Sequence, residues 1–170
     1  MARCNSNWMT FWIPFNFWST DRGYNGVVMS DSDLPEDAIR VVEHTADWSL
    51  RVRGGDLAEL FGRAAVGMAR LLAGDLAVVP LDEVRELALV ADDAEGLLVE
   101  WLGELAYWAE RDGLVCPTVE LHELTPTALR ATTRGGRLPE LQKHIKAVTY
   151  HDLAIRPYDR GLEVTIVFDV

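Results

Sequence analysis

The sequence has few of the residues that define disulfide-stabilised and membrane proteins. It contains two cysteines, Cys4 and Cys116, which stand in unrelated contexts and form no CxxC pair. A disulfide scaffold is therefore excluded, and a reducing compartment, the cytoplasm, is the expected location. The aromatic N-terminal segment is broken by polar residues and by Pro14, so no apolar span long enough to cross a bilayer is expected.

Positive charge is also scarce. The chain has 16 Lys and Arg residues against 27 Asp and Glu residues, which gives a net charge of -11 and a pI near 4.7. Binding to a phosphate backbone relies on clustered Lys and Arg side chains, so direct nucleic-acid binding is not expected. Lys143 and Lys146 are the only lysines of the sequence, and any chemistry that requires a lysine must lie there.

The common signatures of enzymes are missing. The pairs Gly54-Gly55 and Gly135-Gly136 lack the surrounding pattern and the following lysine of a phosphate-binding loop. The sequence contains no GxSxG motif, no HExxH motif and no cysteine in the context of a nucleophile. These absences argue against the enzyme classes that such motifs define.

The length and composition favour one domain. A chain of 170 residues, 49% of them apolar, can bury one core but is short for two. Residues 38–170 show regular patterns and are predicted to form this domain. Residues 1–37 are rich in aromatic side chains without a helical or strand period, and three interpretations remain open. They are a mispredicted start, with Met29 opening the true protein, a disordered extension, or an aromatic docking peptide.

Hydrophobic periodicity predicts two helices and a set of strands. Helical spacing covers 57–72 and 94–109, and strand patterns cover 48–52, 84–90, 115–121, 127–133, 145–151 and 162–168. Thr125-Pro126 marks a hairpin, and Gly135-Gly136 is predicted to form a turn. The predicted fold is α+β, a single domain with two helices packed on mainly antiparallel or mixed β-sheet.

The segment Glu43-His44-Thr45-Ala46-Asp47 combines three side chains that can bind metals or protons. Strand alternation near the C-terminus directs Asp169 away from the apolar face of its strand, and Val170 adds a carboxylate next to it. Held near Asp47, these oxygens would suit Ca²⁺, Mg²⁺ or Mn²⁺. The alternative is a frayed, solvated chain end.

The segment 145–151, IKAVTYH, carries the second candidate residue. Lys146 could place its ammonium near these carboxylates, either as a counter-ion or as a contact to phosphate. The alternative is an ordinary exposed lysine. His44, His144 and His151 could act as ligands or proton relays near neutral pH, although hydrogen-bonded structural histidines are more common, and Asp152 is a weaker ligand candidate.

Four segments together resemble the archease family. They are 43–47 (EHTAD), 101–107 (WLGELAY), 145–151 (IKAVTYH) and the terminal 168–170 (FDV). The match runs in order from about Val41 to Val170, and residues 1–37 fall outside it. One departure is the loop 135–141, which is shorter and less acidic than in the family, so a further ligand from that loop is doubtful.

The resemblance implies a small cytoplasmic accessory protein that is not itself an enzyme. Such a protein serves an RtcB-type RNA ligase in tRNA splicing and RNA repair by promoting the guanylylation and turnover of the ligase. The family's ligands for a divalent cation fall on Asp47, Asp169 and Val170, and its functional lysine falls on Lys146. His44 and His151 match motif positions with a supporting role. The alternatives are a freestanding metal-dependent phosphoesterase and a chaperone-like protein-binding module.

Overall fold

The computed structural model describes residues 26–35, 38–43, 47–159 and 161–170, and of residues 42, 43 and 47 it describes the backbone alone. Within these ranges the helices are α1 (Leu57–Ala73) and α2 (Ala94–Asp112). The strands are β1 (Val27–Met29), β2 (Ile39–Glu43), β3 (Asp47–Gly54), β4 (Glu83–Val90), β5 (Leu114–Leu124), β6 (Ala128–Arg137), β7 (Ala147–Thr149), β8 (Arg156–Tyr158) and β9 (Gly161–Asp169).

The strands form two antiparallel sheets. The first sheet has the order β1-β5-β6-β4, and the second has the order β2-β3-β9-β7, with β8 pairing to the same edge of β9 as β7. Helix α1 packs against β5 of the first sheet and β3 of the second, and α2 packs against β5 and β7. The helices therefore lie between the two sheets in a single domain, which confirms the predicted α+β class.

Helix α1 begins at Leu57, as predicted, and ends at Ala73, one residue beyond the predicted range. The Asp56 carboxylate accepts a hydrogen bond of 2.8 Å from the backbone N–H of Glu59, and Gly74 ends the helix with a φ of 75°. This φ suits glycine because other residues meet steric conflict there. The helix is buried on almost its whole circumference, as expected for an element enclosed by two sheets.

Helix α2 crosses the core beside α1. The Asp93 carboxylate caps its first turn, and Gly113 ends it in the left-handed conformation with a φ of 68°. The fully buried Trp101 donates an indole N–H to the carbonyl of Phe61, over 3.3 Å. This bond satisfies the one polar group of the largest core side chain and fixes the two helices relative to each other.

The predicted turn at Gly135-Gly136 is wrong. Both glycines lie inside β6, opposite Glu83 of β4 and Val115 of β5. A Cβ atom on Gly135 would lie 1.9 Å from the Val115 carbonyl oxygen, at a place where β5 bulges around Pro117. The pair therefore permits a close approach of two strands, a role of strand glycines that the sequence pattern did not distinguish from a turn.

Two further boundaries differ from the prediction. The strand predicted over 145–151 is reduced to Ala147–Thr149, because only these three residues pair with β9. Strand β1, Val27–Met29, falls within the predicted extension 1–37, yet it pairs with β5 and buries Met29 against Gly62 of α1. Residues 1–25 lie outside the described residues. None of the described helices combines the length and the apolar character that a membrane span requires.

An ionic cluster links the end of α2 to β4. The Asp112 carboxylate accepts hydrogen bonds from Arg111, at 2.6 Å, and from Arg85, at 3.0 Å. The Arg111 guanidinium holds the pKa of Asp112 well below its usual range, with a further contribution from Arg85. The positive charge of Arg111 also offsets the unfavourable position of the acidic Asp112 at a helix C-terminus.

This depressed pKa predicts a pH-dependent effect of Asp112→Asn. A carboxyl group whose pKa is lowered by folding stabilises the fold above its unfolded-state pKa of about 3.9, and this stabilisation is lost as the pH falls through the lower folded-state value. The variant should therefore be less stable than the parent at pH 7, and the difference should vanish in strong acid. Urea unfolding at a series of pH values measures the difference in the free energy of unfolding. Asp152→Asn, which changes an exposed carboxylate, is the control.

Candidate functional site

Three strands of the second sheet meet at the end of β9. In the register of β3 with β9, Asp47 lies directly opposite Asp169, and in the register of β7 with β9, Ala147 lies opposite Asp169. Directly opposed residues of an antiparallel pair belong to the same face of a sheet. The first residue of β3 and the last residue of β9 therefore lie together, although 122 positions (169 − 47) separate them in the sequence.

The alternation of β9 determines which of its residues face solvent. Val164, Ile166 and Phe168 are at most 1% exposed and pack into the core, whereas Asp169 is exposed. The apolar face of β9 thus anchors the end of the strand, and β3 and β7 hold it on both sides. This arrangement stabilises a chain end that the sequence alone would allow to fray.

Lys146 contacts the same end of β9 twice. Its backbone N–H donates to the Asp169 carbonyl oxygen, and its ammonium Nζ donates to the main-chain oxygen of Val170, both over 2.9 Å. The ammonium side chain is exposed, so this contact lies at the surface. Lys146 therefore neutralises part of the negative charge at the end of β9, where Asp169 and Val170 lie.

Lys143 is a neighbour that sequence reasoning did not assign to the site. Its ammonium Nζ lies 4.2 Å from the ring centroid of Trp48, the residue that follows Asp47 in β3. A cation over the face of a tryptophan is attracted by the ring, so this contact holds the 143–146 segment against β3. The signal was present in the sequence, since Lys143 and Lys146 are its only lysines.

The histidines proposed as supporting residues are not shown beside this cluster. His44 lies outside the described residues. His151 is exposed in the turn after β7, where its Nε2 is 3.5 Å from the carboxylate of Asp152. His144 is also exposed, and its Nδ1 lies 3.1 Å from a carboxylate oxygen of Glu110 on α2.

Tyr150 of the IKAVTYH segment belongs to a separate cleft. This cleft lies at the start of α2 and is lined by Asp92, Asp93, Gly96 and Glu100 together with the tyrosine. Partial burial raises the pKa of Tyr150, with smaller contributions from the negative charges of Glu100 and Asp93. The segment therefore contributes Lys146 to one surface and Tyr150, which follows the last residue of β7, to another.

The donor atoms at the end of β9 fit a hard cation better than a soft one. Asp47, Asp169 and Val170 offer only oxygen atoms, which Ca²⁺, Mg²⁺ and Mn²⁺ prefer. Among the side chains that the structure describes, no group of three or more His, Cys, Asp or Glu residues is close enough to bind a metal. A cation at this position would therefore need Asp47 and the Val170 oxygen that Lys146 contacts in addition to Asp169.

Sequence comparisons place the chain among known proteins. The sequence model of the Archease protein family (MTH1598/TM1083) matches residues 40–170. Protein archease of Methanosarcina acetivorans is 33% identical over 137 residues, which cover 76% of this chain and 93% of the relative. Protein archease of Saccharolobus islandicus is 33% identical over 133 residues, which cover 75% of this chain and 95% of the relative.

Solved structures give the same result. The solution structure of Methanobacterium thermoautotrophicum protein 1598 has a TM-score of 0.66 and 26% identity, and the match covers 78% of this chain and 99% of that one. A Thermotoga maritima crystal structure, described as an archease and possible chaperone, shares the fold with a TM-score of 0.53 and 23% identity over 76% of this chain and 94% of that one. The family match and these relatives together show that the chain belongs to the archease family.

Proposed function

We propose that this protein is a cation-binding accessory protein of an RtcB-type RNA ligase, and that it promotes guanylylation and turnover of the ligase without catalysing a reaction itself. The observation that supports the proposal is the direct opposition of Asp47 and Asp169 in the register of β3 and β9, with Lys146 bonded to Val170 beside them. Carboxylate, carbonyl and ammonium groups thus occupy one exposed end of a rigid sheet.

The exposure of this cluster favours action on a partner. Asp169 and Lys146 are both exposed, so their charges can enter or border the nucleotide pocket of a second protein. Transfer of a nucleotidyl group depends mainly on position and on neutralisation of charge, and an added cation and ammonium can supply both. A bound Ca²⁺, Mg²⁺ or Mn²⁺ would neutralise phosphate charge, while Asp47, Asp169 and Val170 would hold it.

Lys146 has a separate part in this proposal. Its ammonium donates a hydrogen bond of 2.9 Å to the Val170 oxygen, so it compensates the negative charge of the site. Because two positive charges repel each other, the ammonium would oppose a divalent cation held by Asp47, Asp169 and Val170. The exposed ammonium would also be available to contact a phosphate of the nucleotide.

Lys146→Gln is accordingly expected to reduce stimulation of the ligase and to strengthen cation binding. Glutamine retains a hydrogen-bond donor but removes the charge that opposes the cation, and a change of a few-fold in affinity corresponds to about 1 kcal/mol. Calorimetric titration with Ca²⁺ or Mn²⁺ measures the affinity, and Lys143→Gln serves as the control because its ammonium contacts Trp48 instead. Unchanged affinity and unchanged stimulation in Lys146→Gln would contradict this role.

The most direct experiment follows the guanylylation of an RtcB-type ligase with and without this protein. The expected result is faster formation of the ligase–GMP adduct and more turnovers per ligase molecule when the protein is added. The same preparation is assayed for hydrolysis of a phosphodiester without the ligase. Hydrolysis without a partner, combined with no effect on guanylylation, would favour a freestanding phosphoesterase instead.

The chaperone-like alternative gains little support from the outer face of the first sheet. Strand β4 exposes Val84 and Val90 there, but Glu86 lies between them on the same face. Across the sheet, Val84 pairs with Arg134 and Ala88 pairs with Arg130. Charged residues therefore interrupt the apolar side chains of this strand, whereas protein-binding surfaces are commonly contiguous apolar patches.

A further inference from the structure

The outer face of the second sheet carries two arginines in direct opposition. Arg40 of β2 pairs in register with Arg51 of β3, and both side chains are exposed. Like charges directly opposite each other on neighbouring strands destabilise a sheet. This pair therefore lowers the free energy of unfolding, and the packing of the sheet gives no reason for two arginines at these positions.

Neither arginine is neutralised within the part of the chain that the structure describes. Arg53 forms an ion pair with Glu163 and Arg63 forms one with Glu59, but no ion pair among the described residues involves Arg40 or Arg51. A guanidinium has five donors in a planar fork that matches the oxygens of phosphate. Two such forks side by side, without a carboxylate partner among the described residues, can accept an anion from solution.

Further cationic groups continue this face along the strands. Arg53 lies two positions beyond Arg51. Its Nε atom is 2.6 Å from a carboxylate oxygen of Glu163, and its Cζ atom is 3.9 Å from the centroid of the Tyr158 ring. Arg156 of β8 pairs in register with the same Glu163 and is exposed. Four arginines thus lie around Glu163, whereas Asp47 and Asp169 pair at the far end of the same face. The chain as a whole has a net charge of -11.

The spacing and composition of this surface resemble a site for a strand of nucleic acid. In a β-strand, residues two positions apart share a face and are separated by about 6.6 Å. This distance is comparable to that between successive phosphates of an extended nucleic acid. The phosphates within one nucleoside triphosphate lie closer together. Tyr158 is 45% exposed beside the arginines. Single-stranded nucleic acids are bound by positive surfaces that track the backbone and by aromatic side chains on which bases stack.

We propose that this face binds the phosphates of a single-stranded nucleic acid. Its residues are Arg40, Arg51, Arg53 and Arg156 with Tyr158, and together they are called the arginine face. The proposal departs from the expectation based on net charge, because net charge averages over the surface and the arginines are concentrated on one side. It does not depend on a ligase. The arginine face lies on the same side of the sheet as Asp169. Along β3, Ser49 lies between Asp47, which pairs with Asp169, and Arg51.

The test measures binding of a short, fluorescently labelled single-stranded RNA to the full-length chain at several salt concentrations. The double variant Arg40→Gln/Arg51→Gln is expected to weaken binding about tenfold at low salt and to reduce the slope of log K against log [salt] by about 1.4, since each phosphate contact on a single strand contributes about 0.7. A single-stranded DNA of the same sequence should behave alike, because the arginines contact phosphates.

The matched control is Arg130→Gln/Arg134→Gln, which changes the net charge equally on the outer face of the first sheet. It should leave the salt slope unchanged. Equal losses in both double variants would show a general effect of net charge and would overturn the proposal, as would a parent protein that does not bind RNA at low salt.

A charge reversal separates binding from stability. Arg40→Glu converts the opposed arginines into an opposite-charge pair, so it should raise the midpoint of urea unfolding while it weakens RNA binding. A lower midpoint would show that Arg40 has a structural role and would overturn the proposal. Unchanged RNA binding in this variant would also overturn it.

Discussion

Replacing Asp169 with asparagine is expected to return the guanylylation rate of the ligase to its value without this protein. Asparagine has nearly the same shape as aspartate but lacks the negative charge, and the affinity of a site for a divalent cation falls as the number of its charged ligands is reduced. Asp169 is exposed at the end of β9, and its backbone carbonyl accepts the hydrogen bond from Lys146. The backbone bond survives the substitution, so the expected loss concerns the carboxylate alone.

The measurement compares single-turnover formation of the ligase–GMP adduct with the parent and with the variant. Asp47→Ala should have the same effect, because Asp47 lies opposite Asp169 in the register of β3 and β9. Asp152→Asn, at an exposed aspartate in the turn after β7, is the matched control and should retain full stimulation. The free energy of unfolding of Asp169→Asn should stay within about 0.5 kcal/mol of the parent value. A folded Asp169→Asn variant that still stimulates the ligase would refute the assignment.

The largest expected effect on stability comes from Gly135→Ala. The added Cβ would lie 1.9 Å from the Val115 carbonyl oxygen and 2.7 Å from the Cα atom of Cys116. Both are backbone atoms, which cannot move aside as a flexible side chain can. Overpacking of a buried position commonly costs up to about 3 kcal/mol, and a clash with the backbone of a central strand belongs at or above that limit. Urea unfolding of the purified variant measures the loss.

Gly103→Ala is the matched control for this substitution. Gly103 lies within α2, and a Cβ at this position meets no atom within 4 Å. Alanine in a helix is favoured over glycine by about 1 kcal/mol, so this variant should be more stable than the parent. Equal effects of the two substitutions would show that the approach of β5 and β6 is not the reason for glycine at position 135.

The sequence predicted the helices well because their signals are local. The caps at Asp56 and Asp93 and the terminal glycines at Gly74 and Gly113 stand at the ends of α1 and α2. Each of these signals acts within one turn of its helix, so sequence neighbours contain the information.

Strand boundaries depend on distant parts of the chain, and the errors lie there. Gly135 has the local character of a turn residue, but the approach of β5 places it within β6. The segment 145–151 has the alternation of a strand, but only Ala147–Thr149 pairs with β9. A strand exists only where a partner strand supplies hydrogen bonds, and the partner is not encoded in the segment itself.

Sequence patterns were enough to predict the fold class and both helices. The resemblance supplied the family and the candidate site residues Asp47, Lys146, Asp169 and Val170. Only the folded chain shows that Asp47 and Asp169 lie opposite each other and that Lys146 donates a hydrogen bond to Val170. It also placed Arg40 beside Arg51, a charge concentration that composition conceals. Helix caps act between residues within one turn, so the local sequence is enough to predict them. Strand register depends instead on the burial of one sheet face against the rest of the core.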